Sequence, residues 1–440
     1  MRILALLVLL ATTALAQDLG KKAPPQREAI ALVHATIHTV SGETHAPGYL
    51  LFDKGRIVEV GAGSREFPEG VRVVDGTGLH AYPGFIAANT QLGITEIGAV
   101  RASRDFNEVG GVTPEVRAAI AVNPDSTLLP VARSNGVLAA AVFPSGGTIP
   151  GRASVLRLEG WTWEEMALRD DAGLVVQWPL ARPIRARWMS RSEEEQVEAM
   201  RKGLERIQEI FARAEAYRDA RAADAALPVD IRLEAMLRVL PGRGGASPAP
   251  LPVFFQAQEY DQIVSAVSFA AARGLRAVIV GGRDAPLCAD LLKRHDVGVI
   301  LQGTIVLPRR ADSDYDEPFR LPARLQAAGV RWCLTSGEEP AHERNLPYSA
   351  ALAVAHGLDR ETAIRSITLS VAELLGVAGD LGSLEPGKSA TLFLCDGDPL
   401  EIPTRVVRAF IEGREVDLSN KQTVLYEKYR EKYRQAGLLR

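Results

Sequence analysis

Few side chains in this sequence can do acid–base, nucleophilic or metal chemistry, and their spacing sets what each can contribute. Seven histidines are present. Glu338, Glu339 and His342 form one short constellation. On a helical turn Glu338 and His342 would face one another and serve as acid and base, or join a metal site. The other reading of that string is a solvated polar loop. His34 and His38, four apart, would share one face of a strand. With His45 and His80 they read as solvated or core-satisfied imidazoles. His295 precedes an apolar run, and His356 falls where a helix C-terminus accounts for it. Ser145-Gly146-Gly147-Thr148 is either an amide nest for an anion or a tight turn. Arg309-Arg310, followed by Asp312, Asp314, Asp316 and Glu317, is a charged loop. Cys288, Cys333 and Cys395 are sparse and lie in apolar contexts. They read as buried free thiols, with neither a disulfide framework nor a zinc-type pair.

These residues need a scaffold, and 440 residues suffice for a barrel-sized domain with a smaller companion. The net charge is −3, with Lys and Arg spread along the chain. Nucleic acid is therefore excluded as the main partner, since phosphate neutralisation needs concentrated positive charge. Residues 1–16 have the form of a secretory signal peptide: Arg2, an apolar run over residues 3–10, and Ala14-Leu15-Ala16 before the cut. The expected location is periplasmic or secreted, with no membrane association after cleavage, because no other stretch is apolar enough to span one.

A polar leader over residues 17–28 precedes Gly-punctuated, β-branched strings over residues 29–79, and similar strings return over residues 380–418. Both ends are expected to build one small β-sandwich. Between them, over residues 80–379, the apolar runs PGFIAANT, GVLAAAVFP, AGLVVQWP, PVFFQAQ, RAVIVGG, VGVILQG and RWCLTS alternate with helical stretches such as residues 192–224 and 260–273. Strand–helix alternation predicts a parallel sheet, either a (β/α)₈ TIM-like barrel or a doubly wound open sheet. Residues 419–440 read as a surface helix whose tyrosines pack on the barrel.

Four strings resemble the amidohydrolase superfamily, and within it the exported, imidazolonepropionase-related branch. They are VVDGTGLHAYPGFIAANTQLG, the segment from NPDSTLLPVARSNG to EGWTWEEM, NLPYSAALAVAHGLDRETAIRSITLSVAELLGV, and LGSLEPGKSATLFLCDGDPLEIPTRVVRAFIEGREV. The resemblance implies a barrel inserted in a β-sandwich, and hydrolysis of non-peptide C–N bonds. It also implies a zinc-like ion that acidifies bound water toward about pH 7 and polarises a carbonyl.

The resemblance further implies where the ion's ligands should stand. The His-x-His pair falls on Asn89-Thr90-Gln91, the strand-five histidine on Gln256, the strand-six histidine on Gly281, and the strand-eight aspartate at Ser336-Gly337-Glu338. Three amides and a glycine replace four imidazoles. Carboxamide oxygens are neutral, hard donors that suit no zinc, manganese or iron site. The expectation is therefore no metal cofactor and a pocket at Asn89, Gln91, Gln256, Gly281 and Glu338 that binds a small molecule without hydrolysing it. An alternative is an atypical or metal-free hydrolase working through Glu338 and His342. A third reading is an assembly subunit, self-associating or paired with an intact relative.

Overall fold

The computed structural model describes residues 20–185, 188–242, 249–308, 310, 312–337 and 339–439. The expected signal peptide, Arg309 and Glu338 lie outside the described residues.

Five strands come first: β1 (Ile30–His38), β2 (Thr44–Asp53), β3 (Arg56–Ala62), β4 (Arg72–Asp75) and β5 (His80–Pro83). Eight barrel strands follow: β6 (Phe85–Thr90), β7 (Val137–Val142), β8 (Gly151–Arg157), β9 (Ala167–Gln177), β10 (Val253–Ala257), β11 (Ala277–Gly281), β12 (Gly298–Leu301) and β13 (Trp332–Leu334). Then come β14 (Leu392–Cys395), β15 (Val406–Ile411) and β16 (Arg414–Glu415).

Helices fill the connections. Short α1 (Leu128–Arg133) and α2 (Trp163–Met166) precede β7 and β9, and α3 (Glu193–Ala223) with α4 (Ile231–Leu237) precede β10. Next are α5 (Tyr260–Ala272), α6 (Ala289–Arg294) and α7 (Glu317–Ala327), after β10, β11 and β12 in turn. Finally α8 (Leu346–Ala355), α9 (Arg360–Ser366) and α10 (Leu369–Leu375) follow β13, and α11 (Lys421–Gln435) lies beyond β16. Among the described residues, no helix is long and apolar enough to cross a membrane.

The terminal strands form one mixed sheet in the order β16-β15-β14-β5-β1-β2-β3, with β4 branching from β1. The sheet curls back on itself, so that Phe52 of β2 packs on Phe410 of β15 at 5.1 Å and one continuous sheet encloses the core expected of a β-sandwich. A bulge in β1, where His34 takes φ 61°, splits the strand's pairing. Its first half pairs with β4 and its second half with β5, so one strand serves both directions. The bulge also resets the alternation, so His34 is exposed beside Asp75 while His38 turns inward.

The seven apolar runs are the seven strands β6, β7 and β9 to β13, which run parallel in a nearly closed eight-strand barrel. The eighth strand, β8, is antiparallel to both neighbours, which corrects the regular (β/α)₈ pattern. The cause is connection length. Segments 143–150 and 158–166 are too short for a parallel return, which takes about a dozen residues or more. Between β6 and β13 the main chain of the α9–α10 connection fills the seam, where Ile86 N–H donates to Ile367 O at 2.9 Å.

Alternation along the strands sorts side chains into two cores. Val175, Phe254 and Ile300 point into the barrel, while Val176, Phe255 and Leu301 pack outward against the helices. Arg133 and Glu159 form a buried ion pair at 2.6 Å, their side chains 4% and 3% exposed. Glu159 also accepts from Ala23 N–H at 2.7 Å, which seats the incoming chain on the barrel.

The three cysteines are buried and unbridged, and burial pushes the Cys288 thiol up to about 11. The terminal helix differs from expectation. No residue of α11 is buried, and Tyr426, Tyr429 and Tyr433 face solvent. Charged residues on every side of this helix leave no apolar stripe wide enough to dock.

Candidate functional site

The inward rows of three strands end in a polar layer at one mouth of the barrel. Two residues beyond Val175, Phe254 and Ile300 stand Gln177, Gln256 and Gln302, which strand periodicity carries onto the same inner face. They line a cavity of about 720 Å³ together with Asn89, Gln91 and Gln258. Gly281, Ser145 and Thr335 also contribute to its wall, and Phe143, Trp178 and Leu180 supply apolar surface. The cavity thus brings together Asn89, Gln91, Gln256 and Gly281.

Each carboxamide has a local reason for its position. Gln177 and Gln256 are register partners on adjacent parallel strands. Their side chains lie side by side, and Gln177 Nε2 donates to Gln256 Oε1 at 2.7 Å. Asn89 sits at a register break between β6 and β7, in the left-handed region with φ 54°. Asparagine tolerates this conformation better than most residues, and strain of this kind collects at functional sites. Gln91 Oε1 accepts from the Thr95 hydroxyl at 3.3 Å. Gln262 is structural: its Oε1 accepts from the Gln258 backbone N–H at 3.1 Å, and its Nε2 donates to Pro179 O at 3.1 Å.

Gly281 has φ +108°, and a Cβ there would collide with the carboxamide of Gln258. The space that a side chain at 281 would enter is therefore occupied by Gln258, which donates to Gln302 Oε1 at 3.1 Å. Oε1 of Gln258 is buried without a hydrogen-bond partner.

Among the described residues two carboxylates reach the cavity wall, Glu259 and Glu339. Glu259 caps α5, and its side chain accepts the backbone amide of Gln262. Glu339 is exposed, and its carboxylate lies beside Gly98. No Lys, Arg or His lines the cavity among the described residues. Nor, among those residues, do three or more His, Cys, Asp or Glu side chains cluster closely enough to hold a metal ion.

The remaining candidates fall elsewhere. His342 is exposed on a 3₁₀ turn (Pro340–Asn345), with its N–H donating to Glu339 O at 2.8 Å, and it is not part of the cavity wall. In the glycine-pair loop, Ser145 and Thr148 N–H are taken by the carbonyls of Phe106 and Gly111 at 2.8 and 2.7 Å, so neither of these flanking amides is open to an anion. Arg310 grips buried Asp284 with two hydrogen bonds of 3.1 and 2.6 Å.

His38 belongs to the sheet. Its ring stacks on Tyr82 at 4.1 Å and meets His80 Nδ1 at 3.1 Å. Burial first, then the neighbouring His80 and Arg360, lowers its pKa to about 4.

Sequence reasoning missed Gln177, Gln258 and Gln302. A signal was present: LVVQ, VFFQ and VILQ end three strands alike, each placing Gln two residues beyond an inward apolar side chain.

No protein-family model matches the chain. It is 22% identical over 407 residues to "Amidohydrolase tasK" of Hapsidospora irregularis, an alignment covering 83% of this chain and 39% of that protein. The chain thus spans less than half the length of this curated relative. Among solved structures, an amidohydrolase from Thermotoga maritima MSB8 superposes with a TM-score of 0.76 at 23% identity, over 88% of this chain and 99% of that one. A Xaa-Pro dipeptidase gives 0.55 at 13% identity, over 88% and 100%. Molinate hydrolase gives 0.52 at 16% identity, over 91% and 96%. The chain therefore has amidohydrolase-like relatives by sequence and by structure, and the structural likeness is one of fold.

Proposed function

We propose that this chain binds an uncharged polar small molecule in the barrel mouth and does not hydrolyse it, the metal site of its hydrolase relatives having been replaced by carboxamides. The observation that carries the reading is the Gln177–Gln256 hydrogen bond at 2.7 Å, at the strand end where an imidazole was expected. A carboxamide that already accepts from its neighbour is a poor ligand for a dication. The donors nearest it are carboxamides, and among the described residues the cavity brings only two carboxylates and no imidazole, a set that does not fit zinc, manganese or iron. Without such an ion, water has no route to hydroxide at neutral pH here, and the largest source of rate enhancement is absent.

The same groups suit recognition. Each carboxamide offers a donor and an acceptor without net charge. An anionic ligand would meet Glu259 and Glu339 and, among the described residues, no lining cation, so anions are disfavoured. We further infer descent from the imidazolonepropionase-related branch, on the four strings quoted above, and export through residues 1–16.

The hydrolytic test is an assay of the purified chain on non-peptide amides and lactams, with added zinc or manganese and with chelator. No turnover above that of a Gln256→Ala control is expected. Turnover abolished by chelator would overturn the reading.

A further inference from the structure

Behind the carboxamide wall lies a second, smaller pocket that shares Gln258, Gly281 and Gln302 with the main cavity. Its remaining lining is mostly apolar, with Leu301, Val306, Leu307 and Leu321 from β12, the loop after it and α7, bordered by Arg283 and Glu317, and its volume is about 30 Å³. A space of that size takes a group of one or two carbons, and its apolar side chains favour an alkyl group there. The partition between the two spaces is the Gln258–Gln302 pair.

That partition is weakly held. Gln258 has one side-chain hydrogen bond, to Gln302, which is itself exposed. The other end of its amide, Oε1, is buried and unpartnered, which disfavours the closed position. Rotation of the side chain into the main cavity would give Oε1 a donor from a ligand or water and would clear the way into the apolar pocket. Gly281 makes the arrangement possible, because any side chain there would take the volume that Gln258 occupies.

We propose that Gln258 is a movable, specificity-determining partition: it turns to accept a hydrogen bond from the ligand's uncharged polar head and admits a short apolar substituent into the pocket behind it. The inference rests on the binding function proposed above and specifies its ligand as a neutral polar head carrying a small alkyl group. Opening of a minor-state pocket by its ligand requires no rearrangement beyond this side chain.

The test is ligand-observed NMR on the purified chain with acetamide, propanamide, butanamide and pentanamide, beside the matching carboxylates. Amide affinity is expected to rise up to about fourfold with each of the first two added methylenes and then level off. Carboxylates should not bind. Val306→Phe, which fills the inner pocket, should remove the increments. Gln258→Ala, which deletes the partition, should keep them while weakening acetamide. Amides that bind with no dependence on length, or increments that survive Val306→Phe or vanish in Gln258→Ala, would overturn the partition and leave the binding function standing. Preference for the carboxylates, or binding of no amide, would overturn both.

Discussion

Gln177 and Gln256 face one another across adjacent parallel strands, and their carboxamides are joined at 2.7 Å inside the barrel mouth. Parallel register makes this pair, because residues opposite one another on neighbouring strands present their side chains to the same face. Each residue thereby orients the other. Gln256 keeps its Nε2 hydrogens, and Gln177 its Oε1, for whatever enters the cavity.

The pair should be coupled energetically. Gln256→Leu strands the Gln177 amide and should cost about 1 kcal/mol. Gln177→Leu should do the same, while the double variant should cost less than the sum. Denaturant unfolding of the four proteins measures the coupling; strict additivity would mean that the two amides do not depend on each other.

Gly281→Ala should be more damaging. The backbone at φ +108° disfavours any L side chain, and the new methyl would collide with Gln258. A loss of about 1–3 kcal/mol is expected from the strained backbone alone. Adding Gln258→Ala should recover only the steric part, leaving the melting temperature still below wild type.

His38 gives the fold a pH dependence with a definite sign. Its pKa in the folded chain is about 4, against an ordinary 6.5. Between those values the unfolded chain binds the proton and the folded chain does not, so stability rises with pH. It falls as pH drops from about 6.5 toward 4, and this contribution is flat below that window. The groups facing the ring are His80, the Thr44 hydroxyl, Tyr82, Arg360 and Asp398. His38→Gln should flatten the slope of unfolding free energy across this range; an unchanged slope would assign it to other groups.

Removing one member of the Arg133–Glu159 pair leaves a buried charge without its partner. Arg133→Met should cost about 3–5 kcal/mol, and Arg133→Met with Glu159→Leu markedly less. Because Glu159 also holds Ala23 N–H, the double variant should expose the segment around Ala23 to limited proteolysis while the barrel stays folded.

The parts of this fold that were legible share one property: strands covered on both sides carry uninterrupted apolar residues. All seven such runs are parallel barrel strands. β8 was hidden because Arg152 and Arg157 interrupt its pattern. Both are accommodated by long-range ion pairs, with Asp171 at 2.6 Å and Glu412 at 2.8 Å, which no local pattern reveals. The β1 bulge was likewise invisible, since it accompanies a change of parallel partner, from β4 to β5, more than 40 residues away. At the site, Asn89, Gln91, Gln256 and Gly281 were found by resemblance. Gln258 and Gln302 pair across 44 positions and emerge only when adjacent strand ends are set side by side. Why residue 281 is glycine was unreadable from the chain, because the atom that excludes a side chain there belongs to a different strand end.

The central claim is that carboxamides have displaced a metal at the barrel mouth, and metal stoichiometry tests it most directly. The purified chain would be incubated with excess zinc or manganese, passed through a desalting column, and analysed by elemental mass spectrometry. Far less than one equivalent should remain, unchanged in Gln256→Ala. Retention of about one tightly bound equivalent that Gln256→Ala abolishes would contradict the account.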